Sequence, residues 1–169
     1  VIRVITPGTV TESSMLEEGR SNYVCAIYLQ GDTGAAAFCD VSTGEFCVSA
    51  YEGGASGHII NELGRFLPKE AVLSREALKT PQLLDFLKEK LDSLVEDGSN
   101  RFDLEACTQI VKNHFSQEEL SKSGIENGKS EMSAAGGLLG YIIETQKFDL
   151  SHINSLQVFS DGRFMEMDY

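Results

Sequence analysis

The sequence lacks the features that would place it in a membrane, outside the cell or, taken alone, on a nucleic acid. Its longest apolar stretch, residues 134–143, is interrupted by glycines and falls well short of the roughly 20 residues a membrane helix requires. No charged segment followed by an apolar core marks a signal peptide, which leaves the cytoplasm as the expected location. Basic residues are scarce: 14 lysines and arginines stand against 26 aspartates and glutamates, for a net charge of −12. DNA binding rests on lysine and arginine neutralising phosphates, so this chain is not expected to hold DNA by itself. The four cysteines, Cys25, Cys39, Cys47 and Cys107, include no Cys-x-x-Cys pair and sit in apolar contexts. They read as buried free thiols rather than a disulfide framework. Internal repeats and low-complexity segments are also missing.

What is present is one domain's worth of residues with short tails. Both ends begin or stop inside strand-like runs, which reads as a fragment of a longer protein. Three apolar runs, residues 23–29, 35–41 and 45–51, are separated at hairpin lengths by Gly31-Asp-Thr-Gly34 and Ser42-Thr-Gly44 and predict an antiparallel meander. The period then changes: Ile59, Ile60, Leu63, Phe66 and Leu67 trace a helical stripe that stops before Pro68. Residues 71–74 predict a short strand, Thr80-Pro81 the capped start of a helix through Leu91, and Leu94-Val95 another short strand. Residues 102–115 read as helical, and Ser116-Gln-Glu-Glu119 has the capping-box form that opens a further helix. A long helix over residues 130–147 follows, about 27 Å in length. Finally, residues 152–159 and 163–168 flank the hairpin signal Ser160-Asp-Gly162. A meander followed by alternating helices and short strands predicts an α/β domain with a mixed sheet flanked by helices.

The long helix carries an oddity. Leu138, Leu139, Ile142 and Ile143 form an apolar stripe, yet Gly136, Gly137 and Gly140 would each cost about 1 kcal/mol in a helix interior. Such a cost points to close backbone packing. Candidate chemistry is sparse by comparison. Gly124-Ile-Glu-Asn-Gly-Lys-Ser130 approaches a phosphate-binding loop with Lys129 as its cation, but is one residue short and follows a polar helical run instead of a buried strand. It reads as a turn with Ser130 capping the next helix. His58, His114 and His152 are isolated from one another, no Gly-x-Ser-x-Gly elbow occurs, and no cysteine has a histidine nearby to activate it. No catalytic, cofactor-binding or metal-binding residues are expected.

Leu138-Leu-Gly-Tyr-Ile-Ile-Glu-Thr-Gln-Lys147 resembles the end of the connector domain of the MutS mismatch-repair family. Three further segments agree with that family in order. Ile5-Thr-Pro-Gly-Thr9 resembles the segment leaving the mismatch-binding domain, Asp40-Val-Ser-Thr-Gly-Glu-Phe46 the connector's early strand pair, and Met165-Glu-Met-Asp-Tyr169 the opening of the core domain. The resemblance implies residues 1–11 as linker, 12–150 as connector and 151–169 as the start of the core. It also implies a ribonuclease H-like fold and a non-catalytic role linking the two neighbouring domains, relaying conformational change and offering a surface to MutL. ATP and magnesium would belong to the full-length parent, as would contact with DNA, and none of them to this fragment. The family's MutL-contacting positions fall here on Thr108, Gln109 and Ile110, of which only Gln109 matches like for like, and Ile110 reads equally well as core. The alternative is a divergent ribonuclease H-like nuclease, which needs carboxylates converging on metal ions; Asp40, at the end of a strand, is its candidate and reads otherwise as a turn former.

Overall fold

A computed structural model describes residues 22–146 and 149–160. The meander is β1 (Tyr23–Gln30), β2 (Thr33–Asp40) and β3 (Phe46–Tyr51), antiparallel throughout. β1 and β2 join through a two-residue turn whose first member, Gly31, has φ +64°, the geometry that matches strand twist. Helix α1 (Ala55–Phe66) follows. Then come β4 (Glu70–Leu73), a short α2 (Arg75–Leu78), and α3 (Pro81–Asp85), which runs into a π-helical turn at Phe86–Lys90 before β5 (Leu94–Asp97). α4 (Leu104–His114), α5 (Gln117–Ser123), a 3-10 turn at Ile125–Asn127 and α6 (Lys129–Thr145) precede β6 (Gln157–Ser160).

The six strands form one mixed sheet in the order β5-β4-β1-β2-β3-β6, with β4, β5 and β6 each parallel to the neighbour they join. Helices cover both faces in a ribonuclease H-like arrangement. The strands at the centre are therefore buried on both sides and read as continuous apolar runs rather than alternating ones. Period-two alternation then sorts each strand between two cores. Ala35, Ala37 and Cys39 of β2 join Val48 of β3 and the residues of α4, α5 and α6, whereas Ala36 and Phe38 join Ile59 and Leu63 of α1 and Leu83 and Leu87 beyond α2. Phe38 also stacks on Phe66 at 4.2 Å between ring centroids, a pairing worth about 0.5–1.5 kcal/mol beyond burial.

Several local expectations give way. Thr80 makes no side-chain cap; its hydroxyl donates to Glu76 O at 2.9 Å, because α2, which the sequence did not announce, ends just before it. Ser130 lies inside α6 rather than capping it: the cap position is Gly128, and Lys129 is the first helical residue. Ile143 is 47% exposed despite its place in the apolar stripe. The strand expected over 152–159 is confined to Gln157–Ser160, since Leu150, Ile153 and Leu156 are buried at a spacing of three and not in alternation. Leu150, Ile153 and Leu156 share one buried cluster with α4, α5 and α6, and β6 pairs with β3. The linker at 1–11 and the second strand of the terminal hairpin at 163–168 lie outside the described residues.

Candidate functional site

α4 begins where Asp103 Oδ2 accepts from the N–H of Ala106 at 3.0 Å, and its charges suit the helix dipole, with Glu105 in the first turn and Lys112 in the last. Cys107 and Val111 are buried beneath it, while Glu105, Gln109, Lys112 and Asn113 are exposed. This inner face rests on α6, and the glycines there explain the contact. A Cβ on Gly136 would stand 2.3 Å from Cys107 Cβ and 2.4 Å from its Cα; one on Gly137 would stand 2.6 Å from the Phe102 ring. The helices meet at a separation that only bare backbone permits. Gly140 is less constrained, its would-be Cβ lying 3.2 Å from the end of the Ile110 side chain.

The three candidate partner positions separate accordingly. Gln109 faces solvent. Thr108 is half-buried, and its hydroxyl donates to Leu104 O at 2.7 Å. Ile110 packs against the core. α4 is tied further to α6 because Arg101, just ahead of it, pairs with Glu144 and lies 5.3 Å from the Tyr141 ring centroid. The Tyr141 hydroxyl donates to Glu70 Oε1 at 2.7 Å, and desolvation with that carboxylate raises its pKa.

A second region escaped sequence reading. At the carboxyl ends of the parallel strands β1, β4 and β5, where open α/β sheets commonly receive ligands, lies an open cleft of about 500 Å³. Tyr28, Gln30, Ser74, Arg75, Asn100 and Asp103 line it. Its residues come from three separate chain segments, so no local motif announces it. Most of its polar groups are already engaged. Ser74 Oγ accepts from Leu29 N and Ala77 N, the Tyr28 hydroxyl donates to Gln30 Oε1, Glu76 Oε1 accepts from Gly31 N, and Asp103 caps α4. Asp97 nearby is held below the usual carboxylate range by the hydroxyl and N–H of Ser99.

Asp40 lies at the other end of the sheet, opposite Tyr23 at the start of β1. Its Oδ1 accepts from Ser42 N at 3.0 Å, Ser42 Oγ at 2.6 Å and Thr43 N at 3.3 Å, closing the β2–β3 turn. Among the described residues, no three of His, Cys, Asp and Glu are grouped to hold a metal ion. All four cysteines are buried and free. Burial pushes the thiols of Cys39, Cys47 and Cys107 up to about 12, and that of Cys25 higher, so none is a thiolate near neutrality. Gly124 ends α5 with φ +77° and Gly128 precedes α6, so Lys129 follows a helix and a 3-10 turn, not the strand a phosphate loop requires. Among the described residues no helix is long and apolar enough to cross a membrane.

Comparison with known proteins gives this geometry a family. The chain is similar to the DNA mismatch repair protein MutS of Methanococcoides burtonii, 34% identical over 171 residues, to that of Dehalococcoides mccartyi, 34% over 169, and to that of Ruminiclostridium cellulolyticum, 30% over 170. Each match covers 99% of this chain but only 19% of the relative's length. The family model described as MutS domain II matches residues 22–154, the span from the start of β1 to the segment before β6. The chain therefore belongs to the MutS domain II family.

Proposed function

We propose that this domain acts as a non-catalytic connector in DNA mismatch repair. In the parent protein it joins the mismatch-binding domain to the core, relays conformational change between them, and offers the outer face of α4 to MutL. The observation that carries this reading is the pairing of an exposed polar helix face at Gln109 with an inner face fixed on the α6 glycines. A partner that docks there meets a helix that cannot shift alone. Of the three candidate positions Gln109 is the contact, with Thr108 contributing its methyl side and Ile110 serving the core. ATP, magnesium and DNA engage other parts of the parent. The excess of 26 acidic over 14 basic residues favours a protein partner over phosphate for this piece.

The test is binding of the chain to purified cognate MutL, with Gln109→Ala alongside. Detectable binding that weakens several-fold in Gln109→Ala is expected. No binding by the unaltered chain would leave the linking role alone.

A further inference from the structure

Between α6 and β6 the chain runs as a strap, residues 149–156. It opens with a turn in which the Asp149 carboxylate accepts from Ser151 N and Ser151 Oγ at 3.0 and 2.9 Å. Leu150, Ile153 and Leu156 then enter the core shared with α4, α5 and α6. Apolar burial holds the strap to the domain but is non-directional, so it does not decide which elements set the strap's position. Three directional bonds do. His152 Nε2 lies 2.7 Å from Val41 O in the β2–β3 turn, His114 Nε2 lies 2.7 Å from Ile153 O, and Leu156 N donates to Glu119 Oε2 at 2.8 Å. A carbonyl oxygen only accepts, so both histidines carry a proton on Nε2.

Two of these anchors come from the hairpin of α4 and α5. His114 is the last residue of α4, and its ring also meets the Phe115 ring edge-on at 5.0 Å. Glu119 sits in the first turn of α5, where the capping-box pattern would turn its carboxylate back on Ser116. Only half of that box forms. Ser116 Oγ accepts from Glu119 N at 3.1 Å, while the Glu119 carboxylate reaches the strap and Lys122, 3.5 Å from its other oxygen. On the far side the strap crosses the β2–β3 turn against bare backbone: a Cβ on Gly44 would fall 2.3 Å from His152 O.

We propose that His114 and Glu119 are positioning residues that join the α4–α5 hairpin and the strap into one mechanical unit, so that displacement of α4 is delivered to β6. The inference rests on the relay reading above and supplies its route. When α4 moves together with the α6 it rests on, its last turn carries the Ile153 carbonyl, and α5 carries the Leu156 amide in the same direction. β6 begins one residue later, at Gln157.

Amide hydrogen exchange by mass spectrometry on the whole chain tests this, comparing His114→Leu and Glu119→Ala with His114→Gln, Glu119→Gln and the surface control Gln109→Ala. Exchange over 150–160 should rise about tenfold in the first two, the scale of one lost hydrogen bond. Amides of β1 and β2 should not change. The glutamine variants, which retain a donor at 114 and an acceptor at 119, should recover most of the protection, and Gln109→Ala should be silent. Unchanged exchange over 150–160 in both His114→Leu and Glu119→Ala would overturn the proposal, as would a rise shared equally by β1 and β2. If His114→Leu fails to fold, Glu119→Ala against Glu119→Gln decides on the same criteria. MutL binding is a separate readout: its absence alongside the expected exchange pattern would remove the partner and keep the coupling, and the reverse would remove the coupling and keep the partner.

Discussion

On one face of the sheet, α1, α3 and the π-helical turn after it push leucine and isoleucine side chains into the strands, with Ile59, Leu63, Leu83 and Leu87 fully enclosed. On the other, α6 lies against β1, β2 and β3, and α4 packs chiefly on α6 through glycines. The first face depends on volume filled. The second depends on volume withheld. Removing atoms should therefore harm the first most, and adding them the second. The face set by backbone contact is also the one that presents Gln109, whose position cannot drift as side chains repack.

Substitutions sharpen that contrast in descending order. Leu63→Ala empties a site with no exposure and should lower stability by about 3 kcal/mol in chemical denaturation. Gly136→Ala adds one carbon where Cys107 backbone stands 2.4 Å away, and a loss of about 2 kcal/mol is expected even against the better helix propensity of alanine. It should also open Cys107 to a thiol reagent that, at about pH 8, leaves the buried, protonated cysteines of the unaltered chain unlabelled. Asp103→Ala removes the α4 cap and should cost about 1 kcal/mol, read as a lower melting temperature. Gly140→Ala, facing only the mobile end of Ile110, should fall within about 0.5 kcal/mol of neutral because propensity offsets crowding. Equal losses from Gly136→Ala and Gly140→Ala would break the comparison.

The parts legible in the sequence are those decided locally. Gly31-Asp32 sets the first hairpin, Pro68 ends α1, and Ser116 opens α5, each by chemistry within a few residues. The glycines of α6 announced close packing, but their partner, Cys107, lies some thirty residues away and has no local signature. A strand over 152–159 is the natural expectation because apolar residues at a spacing of three and a run in alternation look alike over so short a stretch. Thr80 and Ser130 are good caps by type, and neither caps, because the preceding segments ended elsewhere than expected. Of the candidate site, the α4 helix was legible as a helical segment and the Gln109 position only through the family resemblance, whereas the cleft and the His114 and Glu119 anchors depend on segments meeting in space.

The pairing of β6 with β3 also sets an order of assembly. Cys47 and Gln157 are partners across 110 positions, whereas β1 and β2 are joined by a turn of two residues. At about 0.6 kcal/mol for each doubling of loop length, nearly six doublings separate the two closures, an entropic handicap of about 3.5 kcal/mol. The meander can therefore form early and β6 docks late, once α6 has shortened the effective loop. The last strand to arrive is the one that the strap delivers.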